Sequence, residues 1–307
     1  LAALTTIAAG VIHLTNRVIV ASSQLKEMLD FSNHNYYNWR FGKIYYTKKG
    51  KGSPLLLIHD TMPGASGYEW SRVEDQLAQE HTVYTLDLLG CGRSEKAGIT
   101  YTNFLFVQII CDFIKNVIKE KTDIIASGFS CSFVTTAAAY DKESINKIMF
   151  INPVSMISLA QTTTKKDKLF KFFIELPIFG TFIYHIIVSR ETINDFFLDK
   201  LYYNPFHVDK DVLDAYYEAA HKGGYYAKCL YSSQSAKYMN INIRHAVESI
   251  DNSIYIVEGE DEPNGAAIVE AYQKVNPAIE SATIPCSKHF PHIENAGWCI
   301  LLIKIKI

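Results

Sequence analysis

The sequence lacks the features that mark several protein classes. Its six cysteines form no CxxC pair and no cysteine–histidine cluster at zinc spacing, so neither a zinc module nor a disulfide framework is indicated. There is no basic excess: 30 Lys and Arg stand against 32 Asp and Glu, and nothing supplies the positive surface that phosphate backbones require. Nucleic acid is therefore not expected as a partner. Charged residues make up only 20% of the chain and hydrophobic residues 48%, which excludes a disordered polyelectrolyte. No internal repeat, low-complexity tract or long linker is visible. The Gly-x-Gly at Gly90–Gly92 lacks the rest of a dinucleotide fingerprint. The first residue is Leu1 rather than methionine, and we expect further residues upstream.

What is present is aromatic and apolar. A length of 307 residues allows two domains or one large α/β unit, and 19 Tyr and 17 Phe must fill a core or line a site. Residues 1–14 are apolar and rich in small side chains, with Arg17 the first charge and Lys26 the next. We read residues 1–25 as an anchor or signal segment, with membrane association through residues 1–20. The alternative is an extra helix packed on the domain of a cytoplasmic protein.

From Trp39 the pattern becomes regular. Phe41–Thr47 alternates like a strand, and Pro54–Ile58, Thr82–Leu86, Thr122–Ala126 and Lys147–Ile151 read as buried strands. Helical stretches lie between them near Trp70–Gln79, Phe104–Lys119 and Cys131–Tyr140. This alternation predicts an α/β fold with a mostly parallel sheet covered by helices on both faces. From Ser155 to Ala246 the chain is helical and aromatic with no convincing strand, and then a strand at Ser253–Val257, a helix at Ala267–Val275 and a short strand near Ala282 resume the pattern. A core of residues 36–154 and 247–300 interrupted by a helical lid at 155–246 is the expected organisation. Residues Cys299–Ile307 do not read as an amphipathic final helix.

The chemistry concentrates after three strands. Thr122–Ala126 runs into Ser127-Gly128-Phe129-Ser130-Cys131-Ser132 and then a helix, the local geometry of a nucleophile elbow. Small residues are needed two positions either side of the nucleophile, and Gly128 and Ser132 flank Ser130. A base follows the last strand in Ser287-Lys288-His289-Phe290-Pro291-His292, where His289 can accept a proton. The pair His289 and His292 has no third metal ligand. After the strand at Ser253–Val257 come Glu258, Glu260, Asp261 and Glu262, so the chain order is serine, acid, histidine.

These blocks resemble the α/β-hydrolase-fold family, in its capped, esterase- or lipase-like form, from about Tyr36 to Trp298. His59 closes a strand where the family has its His-Gly oxyanion motif. Asp87-Leu88-Leu89-Gly90-Cys91-Gly92-Arg93-Ser94 matches its D-x-x-G-x-G-x-S loop. Gly128–Ser132 matches its elbow, and His289-Phe290-Pro291-His292-Ile293-Glu294 matches its histidine block. The resemblance implies Ser130 as nucleophile, His289 as base and Glu262 as the orienting acid, with Asp261 and then Glu260 as backups. It implies an oxyanion hole of backbone N–H groups from Cys131 and from Asp60 or Thr61. No metal and no organic cofactor is implied.

The expected activity is cleavage of an ester, or an amide or carbon–carbon bond, in a small apolar acyl substrate. Three departures accompany it: Asp60 for the glycine after His59, Lys288 for the glycine before His289, and Ser132 for the second elbow glycine. If Asp60 points inward, its charge opposes an oxyanion. The alternatives are a membrane-tethered binding protein that kept the fold and lost catalysis, and an acyltransferase. Oligomeric state is not readable from the sequence.

Overall fold

Adjacent residues of a strand face opposite sides of a sheet, so a run of branched apolar residues predicts a strand buried on both faces. The computed structural model, which describes residues 2–30 and 35–307, bears this out. Leu56, Ile58, Ile124, Ile148 and Phe150 enter one core cluster, whereas their neighbours Leu55, Leu57, Ile125, Met149 and Ile151 enter another. Each such side chain, fully withdrawn from water, contributes on the order of 1.5–3 kcal/mol.

The strands are β1 (Asn35–Trp39), β2 (Gly42–Lys49), β3 (Ser53–Ile58), β4 (His81–Leu86), β5 (Thr122–Ser127), β6 (Ile145–Ile151), β7 (Ile254–Gly259) and β8 (Glu280–Ile284). They form one sheet in the order β1-β2-β4-β3-β5-β6-β7-β8. The pairs β1–β2 and β2–β4 are antiparallel and the others parallel. The longer helices are α1 (Ala2–Ser23), α2 (Asn103–Phe113), α3 (Ser130–Tyr140), α4 (Lys165–Glu175), α5 (Phe179–Ile187), α6 (Lys210–His221), α7 (Lys228–Ser235), α8 (Gly265–Val275) and α9 (Ala296–Lys306). Phe106 of α2 stacks on Phe133 of α3 at 4.6 Å between ring centres, joining two helices on one face of the sheet.

Four elements differ from the sequence reading, the first being β1, which lies ahead of the first strand expected there. The segment around Trp70–Gln79 is two short turns, Gly67–Trp70 and Glu74–Leu77, rather than one helix. The helix after Asn103 ends as α-helix at Phe113 and closes in a wider turn at Ile114–Ile118, stopped by Lys119 at φ 65°. The chain's end does form a helix. In α9, Cys299, Ile300 and Ile303 are buried against the sheet, while exposed Leu301 and Ile305 obscure the polar face that periodicity would reveal. No single helix among the described residues is long and apolar enough to cross a membrane. The helix α1 packs against α5 and α6, Asn16 donates to the Ile178 carbonyl at 3.1 Å, and Lys26 pairs with Asp214. Leu1 lies outside the described residues, and Ile7, Val11, Leu14 and Val18 leave an exposed apolar stripe.

Between β6 and β7 the chain is helical, with no strand among the described residues. Tyr184, Val188, Ile193, Phe197, Tyr202 and Tyr216 from this insertion share a buried cluster with Ala65 and Phe290 from the core. That cluster fixes the insertion over the carboxyl ends of β3 and β8.

Candidate active site

Three loops at the carboxyl ends of β3, β5 and β7, with the segment after β8, converge on one place. The turn after β5 is sharp because Gly128 adopts φ 52°, a conformation that costs glycine little and other residues more. Phe129 is already in the right-handed helical region and Ser130 begins α3. The apex of the elbow is therefore Gly128, two residues before the position expected from Gly-x-Ser spacing.

This corrects the role expected for Ser130. Its side chain is fully buried, and its hydroxyl donates to the His59 carbonyl at 2.6 Å. In that position it makes no hydrogen bond to His289, which has other partners. The oxyanion assignment shifts too. The Cys131 N–H bonds to Gly128 O at 3.4 Å within the turn and the Asp60 N–H to Glu69 at 3.2 Å. The two N–H groups aimed at the common point belong to Thr61 and Phe129.

What occupies that point is the side chain of Asp60. Its Oδ1 accepts from Thr61 N at 2.6 Å and from Phe129 N at 2.8 Å, and its Oδ2 lies 3.3 Å from His289 Nε2. A β-carbon added to Gly128 would fall 2.2 Å from Asp60 Oδ2. The carboxylate thus fills the space that a side chain at the elbow apex would need. Asp60 points inward, onto the two backbone N–H groups that converge there.

On the other side of the ring, His289 Nδ1 lies 3.2 Å from Glu262 Oε1. Glu260 instead accepts the Cys286 N–H at 2.9 Å, and Asp261 is exposed. Both ring nitrogens of His289 face carboxylate oxygens, which accept and cannot donate, so the arrangement suits the doubly protonated imidazolium. Burial alone would depress the His289 pKa, but hydrogen bonds and charge from Asp60 and Glu262 outweigh it and raise it to about 10. For Asp60, burial pushes the pKa up, yet His289 and the two backbone N–H groups prevail and hold it below the usual carboxylate value.

The remaining motif residues build the scaffold. His59 Nε2 accepts the Leu88 N–H at 3.0 Å, and its Nδ1 donates to Asp60 O. Asp87 binds the Arg93 guanidinium and the N–H groups of Gly67 and Arg93; burial would raise its pKa, but Arg93 outweighs it and lowers it to about 2. Gly90 and Gly92 both take positive φ, and a β-carbon on Gly92 would strike Asp87. Ser132 accepts from Asn103 Nδ2 at 3.1 Å and donates to Phe129 O.

Two further residues escaped the sequence reading. Asn152, at φ 45° just after β6, donates to the carbonyls of Lys288 and His289 and accepts the Gly259 N–H, tying the histidine loop to the acid loop. An Asn-Pro pair at a strand end was its signal. Glu69 is fully buried, accepts from Asp60 N and Ser127 Oγ, and lies 3.2 Å from the His292 ring. An acid inside an aromatic turn gave no signal.

A sheet of this order with a histidine–carboxylate pair at the carboxyl ends of its strands defines a hydrolase-type α/β scaffold. The profile of the alpha/beta hydrolase family matches residues 55–300, and the chain belongs to that family. Curated relatives match over parts of their length. A 2-hydroxy-6-oxo-6-(2'-aminophenyl)hexa-2,4-dienoic acid hydrolase of Metapseudomonas resinovorans is 28% identical over 114 residues, 36% of this chain and 39% of that protein. A soluble epoxide hydrolase of Corynebacterium sp. (strain C12) is 29% identical over 109 residues, 36% of this chain and 37% of that protein. The chain thus matches well under half the length of these relatives. Among solved structures, the serine hydrolase CarC of carbazole degradation superposes with a TM-score of 0.70 at 18% identity, covering 88% of this chain and 99% of that one. Carboxylesterase CesB of Bacillus subtilis gives 0.68 at 13% identity, covering 96% and 98%.

Proposed function

We propose that this chain is a hydrolase whose reacting centre is Asp60, His289 and Glu262, with the N–H groups of Thr61 and Phe129 as its oxyanion donors. Glu262 orients the imidazole, His289 moves the proton, and water is the second substrate. The helical insertion acts as a lid. An apolar cavity of about 230 Å³, lined by Met62 and Pro63 beside the oxyanion loop and by Ile187, Ile193, Phe196 and Tyr231 of the insertion, supports a small apolar substrate. The hydrolase names of the curated relatives support the reaction class.

The observation that carries this reading is the position of His289 between two carboxylates, one of them seated on a pair of converging backbone N–H groups. That seat also favours a second reading, a binding protein whose donor pair is permanently filled. Hydrolysis of styrene oxide and of p-nitrophenyl acetate by purified protein separates the two. The hydrolase reading predicts turnover of at least one, falling by about 10²–10⁴-fold in His289→Ala. Turnover of neither supports the binding protein, and turnover indifferent to His289→Ala overturns the proposed reacting centre.

A further inference from the structure

We propose that the cleft between α1 and α5 is a second binding site, separate from the reacting centre, and that it takes an apolar carboxylate that also carries a hydroxyl group. The proposal stands apart from the hydrolase reading, since Asp60, His289 and Glu262 do not border this cleft.

The walls follow from the spacing of residues on two helices. On α1, His13, Asn16, Arg17 and Val20 recur at intervals of three and four and share one helix face. On α5, Thr181 and His185 are four positions apart. These faces enclose a cavity of about 590 Å³, completed by Ile178 and by Tyr225 of the turn Gly224–Ala227. A space of this size holds a small organic molecule. Ile187 and Val188 line the smaller apolar cavity instead, and no residue borders both. The helix α1 lies ahead of residues 55–300, the stretch matched by the family profile, so one wall of the cleft is an addition to the shared fold.

The inner end of the cleft carries polar atoms with nothing to bond. His185 is 3% exposed, and neither of its ring nitrogens has a hydrogen-bond partner. Burial, reinforced by the charges of His221 and Lys228, lowers its pKa to about 4. At neutral pH the ring therefore offers one N–H and one bare nitrogen. It is held in place by stacking on His221, 4.9 Å away between ring centres. Asn16 is 6% exposed; its amide donates to Ile178 O at 3.1 Å, and its Oδ1 receives no bond. Buried polar groups are rarely left in this state, because each has given up its bonds to water. A hydroxyl group accepts from an imidazole N–H and donates to an amide oxygen, and so complements both residues.

The outer end selects charge. His13 and Arg17 are exposed, and Arg17 makes no ion pair among the described residues. No acidic side chain borders the cavity among the described residues. Lys228 adds positive charge behind the wall, donating to Thr181 Oγ1 at 2.9 Å and lying 4.3 Å from the centre of the Tyr225 ring. A single guanidinium matches a monoanion, and its planar fork fits a carboxylate. Between the two ends Val20, Ile178 and Tyr225 provide an apolar path for the body of the ligand.

The test is isothermal titration calorimetry of the full chain at neutral pH with 10-hydroxydecanoate, decanoate and 1,10-decanediol, which share one carbon chain and differ in their end groups. The expected result is saturable binding of 10-hydroxydecanoate at one per chain. Decanoate should bind about 10-fold more weakly, and the diol about 5-fold more weakly. Arg17→Ala, at an exposed position, should weaken both acids by about 5-fold and leave the diol unchanged. His185→Phe should reduce 10-hydroxydecanoate to the affinity of decanoate and leave decanoate unchanged. If that variant does not fold, the two acids compared on wild-type protein decide the hydroxyl. Absence of saturable binding by 10-hydroxydecanoate overturns the site, as does binding indifferent to both substitutions. Equal affinity for the two acids overturns the hydroxyl, and a diol that binds as tightly as the hydroxy acid overturns the carboxylate.

Discussion

At the scale of single residues, Asp60 and Gly128 form a complementary pair. One brings a carboxylate into the elbow, and the other lacks the atoms that would exclude it. Gly128→Ser alone should be inactive, because the new β-carbon meets Asp60 Oδ2 on a backbone at φ 52°. Combining it with Asp60→Gly removes that clash and frees Thr61 N and Phe129 N for a tetrahedral oxyanion. The double variant should gain labelling by a fluorophosphonate probe at residue 128 and hydrolysis of p-nitrophenyl acetate, whereas wild-type Ser130 should remain unlabelled. Labelling of Ser130 in the folded wild-type protein would restore the serine mechanism.

The register of this site was only half legible in the sequence. Gly-x-Ser fits an elbow whether the apex is the serine or the glycine, and composition cannot choose. The choice is made by the backbone, which turns where the residue without a β-carbon stands. The second signal was present in Asp60, a carboxylate replacing the glycine after His59. Its inward direction depends on Phe129, about 70 positions away in sequence, and such a contact leaves no local pattern. His289 and Glu262 were readable because each follows a strand directly and their chain order is constrained by topology.

At the scale of elements, the site depends on loops held by groups that do no chemistry. Asn152 spans from the end of β6 to the loops after β7 and β8, bonding the Gly259 N–H on one and the Lys288 and His289 carbonyls on the other. Asn152→Ala leaves two carbonyls and one N–H without partners, so it should cost about 1–3 kcal/mol of stability. It should also lower kcat with little change in KM, because the histidine is displaced while the apolar cavity is untouched. Denaturant unfolding and steady-state kinetics check both. The strands other than β1 were legible as elements because their apolar runs are short and bounded by turn residues. The last helix was not, since α9 carries apolar residues on its exposed side as well as its buried one.

At the scale of the whole molecule, α1 and the insertion extend a fold whose sheet and helices the sequence pattern made plain. The apolar start has the composition of an anchor or signal segment, with an extra packed helix as the alternative reading. In the structure it lies along α5 and α6, held at its end by ion pairing to Asp214 and by the bond from Met28 N to Glu218. The molecule's response to pH follows from its centre. A histidine whose folded pKa stands near 10 binds a proton that the unfolded chain releases near 6.5. The stability this contributes is complete below about pH 6.5 and is lost as pH rises through about 10. The most direct measurement is therefore the titration of the His289 ring by NMR in wild-type protein and in Asp60→Asn. The account predicts an imidazolium that persists well above neutral pH in the wild type and titrates markedly lower in the variant. A wild-type ring that titrates near 6.5, unmoved by Asp60→Asn, would show that Asp60 does not hold the proton of His289 and would contradict the assignment of this site.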